Sequence, residues 1–352
     1  MKTTPYSNAA PWRLWPRAVA APPQAEVDPM LAAPFRIAPS ARIVTAGSCF
    51  AQHIGRHLAA RGFTHHITEP AHPVLDEATA RAFNFGIYAA RYGNIYTARQ
   101  LLQLFQRAHG QFVPGEESWH QNGVFFDPFR PAIQPGGFAS EGELHADRAQ
   151  HFAATRRAFA EADVLIFTLG LTECWESTDD GAVYPLCPGT LAGTFDPARH
   201  RLRNLNVDEV AGDLRAFAAS LAQVNPRARI ILTVSPVPLM ATAEDQHVLA
   251  ATTYSKAVLR VAAETLCREG LATYFPSYEI ITGAHAQQSY YAPDCRTISE
   301  DGVAHVMRSF FRHFTDGAPG PAEPLSVRKE YDSDKSFVEV LCEEESLARQ
   351  ES

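Results

Sequence analysis

The chain lacks most of the devices that announce a function outright. Its six cysteines form no CxxC pair, which excludes a zinc knuckle and a thioredoxin-type redox pair. It has no GxxxxGK loop, no HExxH helix and no aspartate-rich loop. No apolar run approaches the ~18 residues of a membrane helix. No internal repeat is visible. Charged residues make up only 20% of the chain, below the usual ~25%. What is there is a globular composition: 352 residues, 46% apolar, long enough to bury a core without disulfide staples. Collagen, coiled coil and general disorder are excluded.

The net charge of −8 is unevenly placed. Residues 330–352 hold eight carboxylates against Lys335 and Arg349, a net of −6, which leaves about −2 on residues 1–329. A nearly neutral body gives no electrostatic footprint for nucleic acid. Prolines and arginines interrupt every apolar run of the first 30 residues, so no signal peptide is read there. Reduced thiols and a cytoplasmic location are the matching expectation.

Three segments follow from composition. Residues 1–35 are a proline-rich arm, either laid on the body through Trp12 and Trp15 or loose. Residues 36–318 read as one α/β domain, and residues 319–352 as an acidic tail. In the body, short apolar strands at 42–46, 63–67, 164–169, 230–234 and 273–275 alternate with amphipathic helices. Thr97 is a helix N-cap; Gly62, Gly110 and Gly270 are helix stops. Near-continuous apolar strands separated by helices predict about five parallel strands in a three-layer α/β/α sandwich of flavodoxin-like order. Residues 76–150 interrupt it as a long, largely irregular insertion.

An open parallel sheet binds ligands beyond the carboxyl ends of its strands. The first strand-to-helix connection there is Gly47-Ser48-Cys49-Phe50. A thiol at a helix mouth feels the positive end of the macrodipole, which favours the thiolate. The free N–H groups of that first turn can receive an oxyanion. Ser48 is the competing nucleophile; the bland alternative is that Cys49 only packs the turn. Adjacent His65 and His66 point to opposite faces of a strand, so they do not chelate together. No metal site is expected.

The motifs "GSCFA" at 47–51, "ARYGNIYTARQLLQL" at 90–104, "TLGLTECW" at 168–175, "TVSPV" at 233–237 and "YFPSYEI" at 274–280 resemble the GSCFA family, a branch of the SGNH/GDSL hydrolase-like superfamily. The resemblance implies bacterial proteins linked to surface polysaccharides. Laid on this chain, the superfamily's nucleophile falls at Cys49, with Ser48 in the preceding aspartate's place. Its oxyanion asparagine falls at Thr172, and its Asp-x-x-His block falls at Asp294-Cys295-Arg296-Thr297, with threonine where the basic histidine stands. Gly47 opens the first block as a substrate-binding candidate, Gly86 matches a backbone-donor position, and Asn94 is a substitute amide donor.

A base must then come from another loop. His247, with Asp245 to orient it, is the leading choice over His72, His53 and His305. Arg296 suits an anionic substrate. Glu173 and Trp175 close the third block, with Trp175 either a stacking face for a sugar or a packed side chain. The implied activity is an esterase or O-acyltransferase acting on a glycan or glycoconjugate. It needs no cofactor, and an acyl-CoA is the candidate co-substrate. The alternative is a degenerate SGNH-like protein that binds glycan as a scaffold.

Overall fold

The computed structural model describes residues 4–316, so the acidic tail at 319–352 lies outside the described residues. They form two compact units: residues 37–274, and residues 4–36 together with 275–316.

In chain order the larger unit carries β1 (Ile43–Gly47), α1 (Phe50–Ala60), α2 (Glu77–Ala82), α3 (Ala98–Ala108), β2 (Trp119–Gln121), β3 (Val124–Phe126) and α4 (Glu141–Glu161). It continues with β4 (Val164–Leu169), β5 (Glu173–Ser177), β6 (Val183–Tyr184), β7 (His200–Asn204), α5 (Val207–Val224), β8 (Arg229–Val234), α6 (Val248–Arg268) and β9 (Thr273–Tyr274).

The central sheet is parallel and four-stranded, in the order β1-β4-β8-β9. The expected strand at 63–67 contributes a single parallel bridge, His65 to Ile43, on the outer edge of β1. The order is therefore flavodoxin-like with a vestigial second strand. Every residue of β1 and β4 is buried, as two-sided coverage requires. The fold is a three-layer α/β/α arrangement with helices flanking this sheet. α1 packs on β1 and β4, and α6 packs on β8 and β9.

The helices form where their apolar faces repeat. On α3, Leu101, Leu104, Phe105 and Ala108 are buried at i, i+3, i+4 and i+7. Thr97 caps it with Gln100 in a reciprocal capping box, as its sequence predicts. Phe105 meets Phe159 of α4 at 5.7 Å and Phe217 of α5 at 6.0 Å, tying three helices together. Each such buried side chain stabilises the fold by about 1.5–3 kcal/mol.

The insertion is more ordered than its composition predicts. Asn122 and Gly123 both have positive φ (53° and 81°), the turn that joins β2 to β3 as a hairpin. Beyond β4, a three-stranded antiparallel sheet of order β6-β5-β7 stands between the expected strands at 164–169 and 230–234.

A buried ion network braces this region. Arg91 bonds Asp147 at 2.7 Å, Arg130 bonds Asp147 at 2.8 Å and Asp127 at 2.9 Å, and Arg148 lies 3.3 Å from Asp127. Burial alone would raise the Asp127 carboxyl; Arg130, Arg148 and Arg107 together hold it below the usual range. Arg107 is the exception in the network. It is only 8% exposed, yet no carboxylate pairs with it among the described residues. Its guanidinium lies 3.6 Å over the Phe129 ring. A desolvated cation–π contact contributes about 2 kcal/mol, less than the several kcal/mol that burying an ion costs.

The smaller unit holds α7 (Ser277–Thr282) and α8 (Glu300–Phe314). Its N-terminal arm is fastened by polar contacts rather than by tryptophans. Asp28 accepts from Ser309 Oγ at 2.8 Å and pairs with His313 at 2.9 Å, while Arg36 donates to the carbonyl oxygens of Arg312 and His313. Trp12 and Trp15 remain exposed, so the first of the two readings of the arm, anchoring through these tryptophans, is not what the structure shows. Among the described residues no helix is long and apolar enough to cross a membrane.

Candidate functional site

The site begins where β1 runs out. Gly47 closes the strand at φ +136°, and a Cβ there would lie 2.3 Å from the Thr168 carbonyl oxygen. Only glycine fits such a close approach. Ser48 N–H then donates to that same oxygen at 3.1 Å, one step past the ladder. The Gly47 carbonyl accepts the Ile95 N–H at 2.8 Å.

Tyr88, Asn94 and Gln52 support the turn. The Tyr88 hydroxyl lies 2.5 Å from Asn94 Oδ1 and 3.3 Å from the carbonyl oxygens of both Gly47 and Ser48. Gln52 Nε2 donates to Asn94 Oδ1 at 3.3 Å. Asn94, expected as a substrate-facing donor, is thus a buried member of this brace, its oxygen already committed.

Cys49 occupies the N-cap position of α1, and its side chain does not cap the helix. The residue is 6% exposed. Phe50 N–H, in the first turn beside it, has no hydrogen-bond partner among the described residues. That donor and the helix dipole are what a developing oxyanion or thiolate needs. Ser48 is placed differently. Its Oγ is buried with no hydrogen-bond partner among the described residues, and a Cβ on Gly170 would come within 3.0 Å of Ser48 Cβ. The serine is therefore tucked under the Gly170 backbone, while the cysteine begins the helix.

Gly170 and Leu171 both donate to the Tyr96 carbonyl at 3.0 Å, so the segment 92–96 is hydrogen-bonded to the connections after both β1 and β4. Lys256 of α6, 2% exposed, donates its ammonium to the Gly170 carbonyl. Ser255 Oγ accepts the Thr172 N–H at 3.0 Å. Sequence reasoning missed both α6 residues. Their signal was legible: polar side chains on a stripe otherwise made of Ala251, Leu259, Ala262 and Leu266.

The other expected residues fall as follows. Thr172 donates its hydroxyl to Asn204 Oδ1 at 2.7 Å, so that donor is turned to β7. Glu173 accepts from Thr242 Oγ1 at 2.6 Å and from Ala243 N–H at 3.3 Å, and burial raises its carboxyl despite both bonds. Trp175 packs on the cluster of Trp119, Phe129 and Tyr184 and meets Phe195 edge-on at 5.2 Å, a packed side chain rather than an open stacking face. Gly86 sits in an exposed turn at φ +73°, and a Cβ there would meet nothing within 4 Å.

The histidines expected as the base are engaged in other contacts. His247 is exposed, and its Nδ1 accepts the Leu249 N–H at 3.1 Å, capping α6. In the neutral ring that leaves the proton on Nε2 and no lone pair for a thiol. His72 makes the same kind of turn, accepting the Val74 N–H at 3.2 Å. His53, one turn beyond Cys49, is pushed down to about 3 by burial first, then by Arg56 and His57. So weakly basic a ring does not hold a thiol's proton. His65 bonds Thr45 Oγ1 at 2.9 Å and fills the space opposite Gly55.

In the smaller unit, Asp294 organises its own loop. It accepts from Thr297 Oγ1 at 2.6 Å and from the N–H groups of Arg296 and Thr297 at 2.9 Å each. Burial opposes these bonds, yet they hold the carboxyl below its ordinary value. The aspartate is thus spent on the threonine that replaces histidine. His305 instead bonds Tyr290 through Nδ1 at 2.7 Å. Arg296 is half-buried in this same loop. Among the described residues, no group of three or more His, Cys, Asp or Glu is arranged to hold a metal.

A comparison with curated proteins finds no match. The model of the GSCFA family matches residues 42–310, which include the β1–α1 turn, the Gly170 connection and the loop of Asp294. The chain belongs to the GSCFA family.

Proposed function

We propose that this protein is a thiol-dependent esterase or O-acyltransferase of SGNH-like type, acting on a glycan or glycoconjugate. The observation that carries the reading is the position of Cys49 at the mouth of α1, on a turn braced by Thr168, Ile95 and Tyr88. Such bracing is preorganisation: the nucleophile and the Phe50 N–H keep their places while charge develops.

The chemistry runs in two steps. The Cys49 thiolate attacks the ester carbonyl carbon, and the tetrahedral oxyanion is received by the Phe50 N–H. The C–O bond breaks, the leaving alkoxide takes a proton from water, and a thioester remains on Cys49. A sugar hydroxyl, or water, then attacks that thioester and loses its proton to solvent; the C–S bond breaks and the Cys49 thiolate is restored. A thiol needs less help from a base than a hydroxyl does, which fits the engagement of His247, His72 and His305 in other contacts. An acyl-CoA is a suitable donor because its own thioester exchanges with a thiolate.

The second reading is a glycan-binding scaffold that has lost catalysis. The bond from Thr297 to Asp294 favours it, since no imidazole stands in that block. Turnover of short-chain p-nitrophenyl esters and of an acyl-CoA panel separates the two. The enzyme reading expects Cys49→Ala to lose activity by about a hundredfold or more and Ser48→Ala to retain most of it. Equal turnover in Cys49→Ala removes the thiol from the mechanism; no turnover in the wild type, with tight glycan binding, selects the scaffold.

A further inference from the structure

The insertion holds a cavity with no part in the chemistry proposed above. It measures about 20 Å³ and is lined by Arg107, Arg130, His151, Gln100, Phe129 and Asn94, among others. A volume above roughly 10–15 Å³ admits a water-sized polar group.

Two of its lining side chains have unspent donors. Arg107 is nine-tenths buried, and its Nε has no hydrogen-bond partner among the described residues. Gln100 uses Oε1 to accept the N–H groups of Tyr96 and Thr97 at 3.0 Å each; its Nε2 has no partner among the described residues. The other polar walls are satisfied. Arg130 donates to Asp127, Asp147 and the Arg91 carbonyl. His151 bonds Glu69 at 2.8 Å and is held neutral by burial first and then by Arg130.

Four arginines, Arg91, Arg107, Arg130 and Arg148, face four carboxylates: the buried Glu69 and Asp127, the partly buried Asp147, and the half-exposed Glu117 beside Arg148. Arg91, Arg130 and Arg148 are in ion pairs with these carboxylates, whereas Arg107 is in none among the described residues. Burial lowers the Arg107 guanidinium to about 9, with Asp127 opposing and Arg148 and Arg130 adding to the fall, so it remains charged near neutrality.

We propose that this cavity is a carboxylate-binding site, in which the Arg107 guanidinium and the Gln100 amide grip one carboxylate head group. A guanidinium fork matches two carboxylate oxygens. Arg107 is the member of the four that has no carboxylate partner among the described residues, and one unpaired guanidinium matches a monoanion better than a phosphate dianion. Asn94 and Ile95 on its wall also brace the Cys49 turn, but the site is read by binding and not by turnover.

The test is thermal denaturation of the full chain titrated with sodium acetate, sodium glucuronate and sodium phosphate, each against sodium chloride at equal ionic strength. A ligand of the folded state raises Tm in proportion to its occupancy. The expected result is a saturable shift with acetate or glucuronate beyond that of chloride; a larger response to glucuronate marks a sugar acid, a larger response to acetate a small free carboxylate. Arg107→Gln should weaken it at least tenfold. Gln100→Glu keeps the capping oxygens but replaces the amide donor with a negative charge, and should weaken it equally; it serves if Arg107→Gln fails to fold. Wild-type shifts that persist in both variants, or no carboxylate shift beyond chloride, overturn the site. A shift with phosphate alone that depends on Arg107 overturns the carboxylate assignment.

Discussion

The Thr172 hydroxyl donates to Asn204 Oδ1 at 2.7 Å, joining the end of the β4 connection to the last residue of β7. A residue expected to face an oxyanion is thereby a strut. Thr172→Val keeps the shape but leaves Asn204 Oδ1 without its donor, at a cost of about 1–3 kcal/mol. Urea denaturation should show that loss while ester turnover stays within a fewfold of wild type. Intact stability with collapsed turnover would return Thr172 to the catalytic machinery.

Gly47 is the least replaceable residue of the turn. Alanine there would place Cβ 2.3 Å from the Thr168 carbonyl oxygen at a φ of +136°. Relief requires β1 and β4 to separate at the point where they hold the nucleophile. We expect Gly47→Ala to lose about 4 kcal/mol or more, read as loss of soluble protein or of the cooperative unfolding transition. A stable, active Gly47→Ala protein would show that the turn is looser than described.

Buried neutral histidines set the acid limit of stability. His53 is held at about 3, and His65 and His151 at about 4, burial being the first cause for each, against an ordinary value of 6.5. The unfolded chain takes up protons on these rings below pH 6.5, whereas the folded chain does not until pH about 4 or lower. Their stabilisation is therefore complete above 6.5 and falls away as pH drops toward 4, by up to about 1.4 kcal/mol per pH unit for each ring. Urea midpoints at about pH 7.5 and about pH 5 should differ, and His53→Gln should shrink the difference. An unchanged slope in that variant contradicts the neutral assignment of His53.

The parallel sheet was legible because β1, β4 and β8 are apolar runs with no polar face, and Thr97 and Gly110 punctuate α3 as their chemistry dictates. The hairpin at 119–126 was signalled by Asn122-Gly123 but lost among the prolines and phenylalanines around it. β5 and β7 were missed because "ECWES" and "HRLRN" carry charges; Arg201 and Arg203 satisfy Glu176 across the pair, a tertiary effect invisible to local pattern. At the site, the glycine-serine-cysteine turn and its place at the sheet edge could be read directly. What could not be read was how each histidine is used. Whether His247 donates a lone pair to a thiol or to the Leu249 N–H depends on where a helix begins, and that is settled by packing.

The most direct test of the Cys49 assignment is peptide-resolved mass spectrometry of the protein acid-quenched during turnover of an acyl donor. The account predicts a gain of one acyl group on the peptide bearing Cys49, stable to acid, cleaved by hydroxylamine at neutral pH and missing in Cys49→Ala. An acyl group on Ser48 instead, or an unmodified turn peptide while product accumulates, would contradict it.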